Sequence, residues 1–127
     1  MPVRSSASSV LAWPGRSVVD AAVRQWAQGE RLRRPALLAV GYFGSYARGD
    51  HGVGSDVDLV LLVSDSARPF AERGLDWDTT HLPVPADLLV YTRAEWNRLM
   101  ATGSPFSRRL RDETVWVLED EGLVESR

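Results

Sequence analysis

Three apolar runs, each about as long as one strand, constrain the fold of this chain more than any other feature. They span residues 36–43, 57–63 and 86–91, and the only charged residues within them are Asp58 and Asp87. Apolar runs of this length are typical of strands that are buried on both faces of a sheet. We therefore expect three such strands.

A helix is expected before the first strand. Ser17 can serve as its N-cap, Val19, Val23 and Trp26 recur at helical spacing, and Gly29 follows as a stop signal. This pattern predicts an amphipathic helix of about three turns.

Two further helices are expected after the third strand. Residues 92–95 form a capping box of the Thr-x-x-Glu type, which predicts a helix that ends at Gly103. The Ser-Pro pair at 104–105 is typical of another helix start, with Phe106 and Leu110 on one side of that helix. The inward residues of the first of these helices are expected to be Trp96, Leu99 and Met100.

The order of these elements predicts the fold class. Residues 114–118 are typical of an edge strand, whereas Pro and Gly interrupt residues 64–85, which are expected to form a loop with at most a short helix. Helices alternate with strands, which predicts an α/β domain of two or three layers. Residues 1–15 are expected to be a flexible N-terminal arm, and residues 16–127 a single domain.

Composition excludes several kinds of chemistry. The chain has no cysteine, which excludes disulfides and thiolate sites, and all 15 basic residues are arginine, which excludes a catalytic lysine. The formal net charge of -2 does not favour direct nucleic-acid binding. No apolar stretch approaches the roughly 18 residues of a membrane span, and we expect a cytoplasmic protein that binds no membrane.

Two aspartates at the start of the second strand are candidate metal ligands. Asp56 and Asp58 are two residues apart, so both side chains leave the same face of the strand, with Cα atoms about 6.6 Å apart. Two carboxylates at this spacing repel each other unless a cation such as Mg²⁺ lies between them. Aspartates at strand ends are also common turn formers, so the pair alone leaves both interpretations open. Asp76 and Asp78 have the same spacing but lie in a predicted loop, and we interpret that pair as structural.

Two further features favour a phosphate-binding or metal-binding site. Gly44 and Ser45 follow the first strand, where a glycine lets the backbone approach a phosphate and a serine hydroxyl adds a hydrogen-bond donor. The same pair also fits a simple strand-to-helix turn. Asp87 interrupts the third strand, where a buried carboxylate would be costly without a partner. A metal ion shared with Asp56 and Asp58 would be that partner.

Together these residues match a known family. The stretch GSYARGDHGVGSDVDL, followed by ADLLVYT, strongly resembles the minimal nucleotidyltransferases of the polymerase β superfamily, and the resemblance covers about residues 36–118. It implies a small mixed β-sheet flanked by helices. It also implies transfer of a nucleoside monophosphate from a nucleoside triphosphate, with release of pyrophosphate.

The resemblance assigns roles to the candidate site residues. Gly44 and Ser45 are expected to hold the β- and γ-phosphates of ATP or another NTP. Asp56 and Asp58 are expected to bind two Mg²⁺ ions, and Asp87 to complete one metal site and to orient or deprotonate the attacking hydroxyl. Two metal ions suit this reaction because they lower the charge of the nucleophile and neutralise the departing pyrophosphate.

Four other polar residues near this motif are less informative. Arg48 is close enough in sequence to bind a phosphate, and it is equally typical of a solvated loop arginine. Ser55 is expected to cap a turn rather than to react. His51 and His81 are expected to lie in loops without a chemical role.

The identity of the acceptor stays open. The resemblance implies an antitoxin-like transferase that moves AMP from ATP to a separately encoded, all-helical, toxin-like partner protein. The alternatives are a non-catalytic binding module with the same fold, and a transferase for a small molecule such as an antibiotic, with a pocket lined by residues 64–85. Three carboxylates kept side by side argue against the binding module, because their charges repel without a cation.

Overall fold

The computed structural model describes residues 13–120, which form four strands and several helices. All four expected strands are confirmed to within one residue at each end. Residues 64–85 contain one short helix, which agrees with the expected loop with at most a short helix. No helix among residues 13–120 has the length and apolar character needed to cross a membrane. In chain order the elements are α1 (Arg16–Arg33), β1 (Leu37–Phe43), α2 (Ser45–Arg48), β2 (Val57–Val63), a 3₁₀ helix (Phe70–Asp76), β3 (Ala86–Thr92), α3 (Arg93–Thr102), α4 (Pro105–Glu113) and β4 (Val115–Glu119).

The strands form one mixed sheet in the order β3-β2-β1-β4. Strand β1 is antiparallel to both β2 and β4, whereas β2 and β3 are parallel. The β2–β3 connection is long enough to return the chain to the same end of the sheet, as a parallel pair requires. The expected mixed sheet is confirmed, and so is the edge position of β4.

The sheet is covered on both faces, which gives three layers. Alternate β2 residues such as Leu59 and Leu61 pack against α1, whereas Val60 and Leu62 pack on the opposite face with Trp96 of α3 and Leu110 of α4. Successive side chains of a strand point to opposite faces. The face that carries α3 and α4 is therefore also the face toward which the side chain of residue 58 points.

Helix α1 is longer than its sequence predicted. It begins after Gly15 without a side-chain cap and continues past Gly29 to Arg33, so the expected cap at Ser17 and the expected stop at Gly29 are both wrong. The extra turn is stabilised by Glu30, which is buried and accepts hydrogen bonds from the side chains of Arg33 and Arg34. Tertiary burial of this kind outweighs the roughly 1 kcal/mol cost of one helical glycine.

The two C-terminal helices begin where the sequence places them. In the capping box, the Thr92 hydroxyl accepts from the Glu95 amide at 3.2 Å, and the Glu95 carboxylate accepts from the Thr92 amide at 2.9 Å. Ser104 caps α4 by accepting from the Ser107 amide. Phe106 and Leu110 are four residues apart in this helix and lie on one side of it, as expected, although Phe106 is 38% exposed. The buried stripe of α4 consists of Ser107 and Leu110, and Phe106 lies at its margin.

A buried ion pair fixes the 3₁₀ helix to β3 and α3. Arg73 is 6% exposed and donates to both carboxylate oxygens of Glu95, at 2.6 and 3.0 Å. The same guanidinium donates to the main-chain oxygens of Arg68 and Val90, each at 2.9 Å. These hydrogen bonds from Arg73 lower the pKa of Glu95 to about 2 from an ordinary value of 4.5.

We expect Glu95→Gln to lower the free energy of unfolding at neutral pH by about 2–3 kcal/mol, because it leaves the buried Arg73 charge unpaired. Since the folded pKa of Glu95 lies below its unfolded value, this stabilisation is complete above roughly pH 5 and is lost as the pH falls toward 2. Denaturant unfolding between pH 7 and 3 measures both effects. Glu72→Gln is the matched control, because the Glu72–Arg68 pair is exposed and worth little. Equal losses for the two variants would contradict the assigned role of Glu95.

Candidate active site

Two of the candidate carboxylates face each other across neighbouring strands. In the parallel β2–β3 pair, Asp58 lies directly opposite Asp87, and on its other side Asp58 is paired with Phe43 of β1. Neighbouring strands are about 4.8 Å apart, and residues in register share one face of the sheet. The register therefore places both carboxylates on the face that carries α3 and α4.

The third carboxylate belongs to the residue just before β2. Asp56 is two positions before Asp58, and it is close enough that its negative charge contributes to the raised pKa of the Asp58 carboxyl. Asp56 and Asp87 are both exposed, whereas Asp58 is half-buried. The expectation that Asp87 is buried is therefore wrong, because β3 is an edge strand and its first residues are open to solvent.

The electrostatics of Asp58 show that the three charges interact. Burial raises the pKa of the Asp58 carboxyl, and the negative charges of Asp87 and Asp56 raise it further. The positive charge of Arg48 opposes this shift. The sheet thus holds Asp58 where its ionised form is disfavoured.

Gly44 has a structural role that its sequence motif did not reveal. Its φ of +77° with ψ of -149° is a conformation that is almost exclusive to glycine. A Cβ atom at this position would lie 2.3 Å from Oδ2 of Asp58, far inside van der Waals contact. Gly44 therefore makes room for the Asp58 carboxylate, in addition to any role toward a phosphate.

Helix α2 and the loop that follows it contain the remaining candidates. Ser45 is half-buried at the start of the one-turn helix α2. Arg48 is exposed, and its guanidinium donates to Asp50 at 3.0 Å and to Glu113 of α4 at 3.3 Å. Ser55 accepts from the Gly52 amide at 2.8 Å, which confirms its expected role in a turn.

The two histidines, and the pair Asp76 and Asp78, have environments that differ from that of the three candidate carboxylates. His51 stacks on Tyr46, with ring centroids 4.1 Å apart, and His81 is exposed. Asp78 accepts from the amide and the hydroxyl of Thr80, and Asp76 forms an ion pair with an arginine. These contacts agree with a structural role for Asp76 and Asp78, which stays a prediction.

The donor set of the site suits a hard divalent cation, although the side chains do not enclose one. Carboxylate oxygens are the ligands that Mg²⁺ prefers, and beside burial the negative charges of Asp87 and Asp56 contribute to the raised pKa of Asp58. Within residues 13–120, no three acidic or histidine side chains converge closely enough to hold a metal ion as they stand. Side-chain rotation of the exposed Asp56 and Asp87 would be needed.

Solved structures share this fold. A Sulfolobus solfataricus protein assigned as a nucleotidyltransferase matches with a TM-score of 0.54 and 18% identity, over 80% of this chain and 80% of that chain. A chain of a toxin–antitoxin complex with AMP-PNP matches with a TM-score of 0.52 and 16% identity, over 84% of this chain and 78% of that chain. The MntA–HpeT toxin–antitoxin complex, in a mutant with two Asp-to-Glu changes, contains a chain that matches equally well. At these identities the matches establish a common fold.

A family model identifies the chain more directly. No curated protein matches it in sequence. The family model of the nucleotidyltransferase domain matches residues 29–117, which is more than half of the chain and includes every candidate site residue. The chain therefore belongs to the nucleotidyltransferase domain family, which confirms the enzyme class expected from its sequence.

Proposed function

We propose that the chain transfers the AMP group of ATP to a hydroxyl group of a partner protein, with Asp56, Asp58 and Asp87 as its catalytic carboxylates. The observation that carries this proposal is the β2–β3 register, which sets Asp58 opposite Asp87 on one face of the sheet. Clustered carboxylates of this kind would hold the divalent cations that neutralise the charge of a triphosphate in nucleotidyl transfer.

The reaction forms one bond and breaks another. The acceptor hydroxyl attacks the α-phosphorus, the bond from that phosphorus to the bridging oxygen breaks, and pyrophosphate leaves. The hydroxyl proton passes to a carboxylate. Asp87 is placed to accept it, because its side chain is exposed at the sheet edge beside Asp58, where a large acceptor can approach.

The phosphates that leave as pyrophosphate would be bound by Gly44, Ser45 and Arg48. Gly44 leads directly into α2 and lies against Asp58, so that a phosphate near its backbone is also near the carboxylates. The ion pairs of Arg48 with Asp50 and Glu113 lie at the surface, where such pairs are weak and exchange readily. Arg48 can therefore turn from them toward a phosphate.

Divalent cations would complete the site. When bound, ions such as Mg²⁺ would supply positive charge to the α-phosphate and to the departing pyrophosphate. Asp56, Asp58 and Asp87 would hold two such ions, a number that rests on the family resemblance. Asp58 interacts with both of the other carboxylates, because the negative charges of Asp87 and Asp56 both raise its pKa.

A partner protein is the acceptor that best fits the open position of the carboxylates. Asp56 and Asp87 lie at the surface, where the hydroxyl of a macromolecule can reach them. Two structural neighbours are chains of toxin–antitoxin complexes, and one of these complexes contains AMP-PNP, an ATP analogue. These neighbours support ATP as the donor and a toxin-like partner, which the family resemblance suggests is all-helical.

A small-molecule acceptor has less support. On the surface of residues 13–120, a groove of about 580 Å³ lies between α1 and residues 76–82, which belong to the segment considered for a small-molecule pocket. A second groove, of about 260 Å³, shares Arg34 and Asp76 with it. None of the three aspartates lines either groove. A molecule bound there would not meet the carboxylates.

The first test is transfer of label from α-labelled ATP in the presence of Mg²⁺, with and without the protein encoded by the adjacent gene. We expect label on the partner protein, and none when Asp56 and Asp58 are both replaced by Ala. Co-purification of the two proteins without label would favour the binding module, and label on an added small molecule would favour the third alternative. Competition by unlabelled GTP, CTP and UTP measures the base preference.

We expect Asp58→Asn to raise the thermal stability of the metal-free protein while lowering transfer by on the order of 10²–10³-fold. Because the folded pKa of Asp58 is raised, its ionised form destabilises the fold above that pKa, and the destabilisation disappears as the pH falls through it. Asparagine removes the charge at every pH. Thermal unfolding in EDTA, with and without added Mg²⁺, should show that Mg²⁺ stabilises the wild type but not the variant. Asp76→Asn is the control, and it should leave transfer unchanged and give no gain in stability.

We expect Gly44→Ala to reduce transfer far more than Gly49→Ala. Both glycines have a positive φ, of 77° and 86°, so either alanine is strained by roughly 1–2 kcal/mol or more. Only at Gly44 does the added Cβ meet Oδ2 of Asp58, since nothing lies within 4 Å of a Cβ at Gly49. Rates measured at saturating ATP, together with melting temperatures, separate the two effects. Similar rates for two variants of similar stability would show that the contact with Asp58 is unimportant.

A further inference from the structure

The segment before α1 is attached to the loop that carries Asp56. The Trp13 indole N–H donates to the main-chain oxygen of Ser55 at 3.2 Å, across 42 positions of the sequence. The Tyr46 hydroxyl donates to the main-chain oxygen of Pro14 at 2.8 Å. Trp13 is half-buried and packs against the core on the α1 side. The expectation that Trp13 belongs to a flexible N-terminal arm is therefore wrong. Residues 1–12 of that arm lie outside the described residues.

The contact with Ser55 matters because Asp56 is not part of the sheet ladder. Strand β2 begins at Val57, so the ladder that fixes Asp58 does not extend to Asp56. The peptide group on the N-terminal side of Asp56 is held by Trp13 through the Ser55 oxygen. The peptide group on its C-terminal side is held by the Val57 amide, which donates to the Pro85 oxygen at 2.9 Å. Each peptide next to Asp56 is thus fixed by one long-range hydrogen bond.

The rest of the loop would not fix Asp56 alone. It contains Gly49, Gly52 and Gly54, and glycines leave the backbone its greatest conformational freedom. Its turn is closed locally, by two hydrogen bonds between Gly52 and Ser55. These local bonds define the shape of the turn but do not attach it to the core. Attachment comes from Trp13 and from Tyr46, whose ring is fully buried and stacks on His51.

We propose that Trp13 is a positioning residue for the reaction, and that its indole N–H fixes the Ser55–Asp56 peptide group, and with it the backbone from which the Asp56 carboxylate acts. Displacement of a reacting group by about 1 Å can cost on the order of 10²-fold in rate. Loss of one restraint beside Asp56 is therefore expected to affect turnover more than nucleotide binding. The effect on turnover rests on the proposed function, whereas the restraint itself can be measured without nucleotide.

The test is Trp13→Phe, which keeps an aromatic ring and removes the N–H group. Trp26→Phe is a closely matched control, because Trp26 is also half-buried and its indole N–H also donates to a loop carbonyl, that of Asp78 at 2.9 Å. Thermal unfolding of both variants shows whether they are folded and how much stability each loses. Amide hydrogen exchange of the segment 49–57, without metal or nucleotide, reports the restraint directly.

We expect exchange in the segment 49–57 to be faster in Trp13→Phe than in the wild type and unchanged in Trp26→Phe. We also expect kcat for transfer to fall by about 10-fold or more in Trp13→Phe, with the KM for ATP changed by less than about twofold. Unchanged exchange in Trp13→Phe, or a fall in kcat no larger than that of Trp26→Phe, would overturn the proposal. Faster exchange in a protein whose wild type transfers no nucleotide would support the restraint and refute the proposed function.

Discussion

Repulsion among Asp56, Asp58 and Asp87 is the constraint on which the organisation of the site depends. Like charges at neighbouring strand positions repel each other, and side chains that could move freely would carry them apart. The backbone prevents this at Asp58, because hydrogen-bonded register fixes it between Phe43 and Asp87. Gly44 then allows the chain to pass so close to the Asp58 carboxylate that no side chain fits between them. The site therefore holds unfavourable charge through its main chain, and the positive charge of Arg48 offsets only part of it.

Stability for this arrangement comes from other parts of the molecule. The two faces of the sheet bury separate apolar clusters, one under α1 and one under α3 and α4. On the outer side of β3, which is the edge of the sheet that residues 13–120 form, Arg73 donates to the Val90 oxygen and so satisfies an edge carbonyl. The Arg73–Glu95 pair also attaches α3 to the 3₁₀ helix. The C-terminal half of β3 is therefore fixed, whereas Asp87 in its N-terminal half is exposed to solvent.

The sequence predicted what local patterns determine. Strands, the capping box of α3 and the mixed pairing implied by the family motif are all confirmed, because apolar periodicity and cap chemistry act over a few residues. The errors arise where contacts between residues far apart in the sequence determine the local structure. The burial of Glu30 carries α1 through Gly29, the edge position of β3 exposes Asp87, and the contact with Ser55 orders Trp13. The proximity of Gly44 to Asp58 could have been inferred only with the β1–β2 register in hand.

The three carboxylates differ in how they are restrained, and this difference has a physical reason. Asp58 and Asp87 need fixed positions relative to each other, and register within a sheet provides them at no cost in side-chain contacts. Asp56 lies where the chain must still turn through a glycine-rich loop to join α2 to β2, so it cannot belong to the ladder. Its position must be set by hydrogen bonds from outside the loop, of which the structure provides one on each side. The last residue of the loop is thus held beside the sheet although the glycine-rich loop before it is outside the ladder.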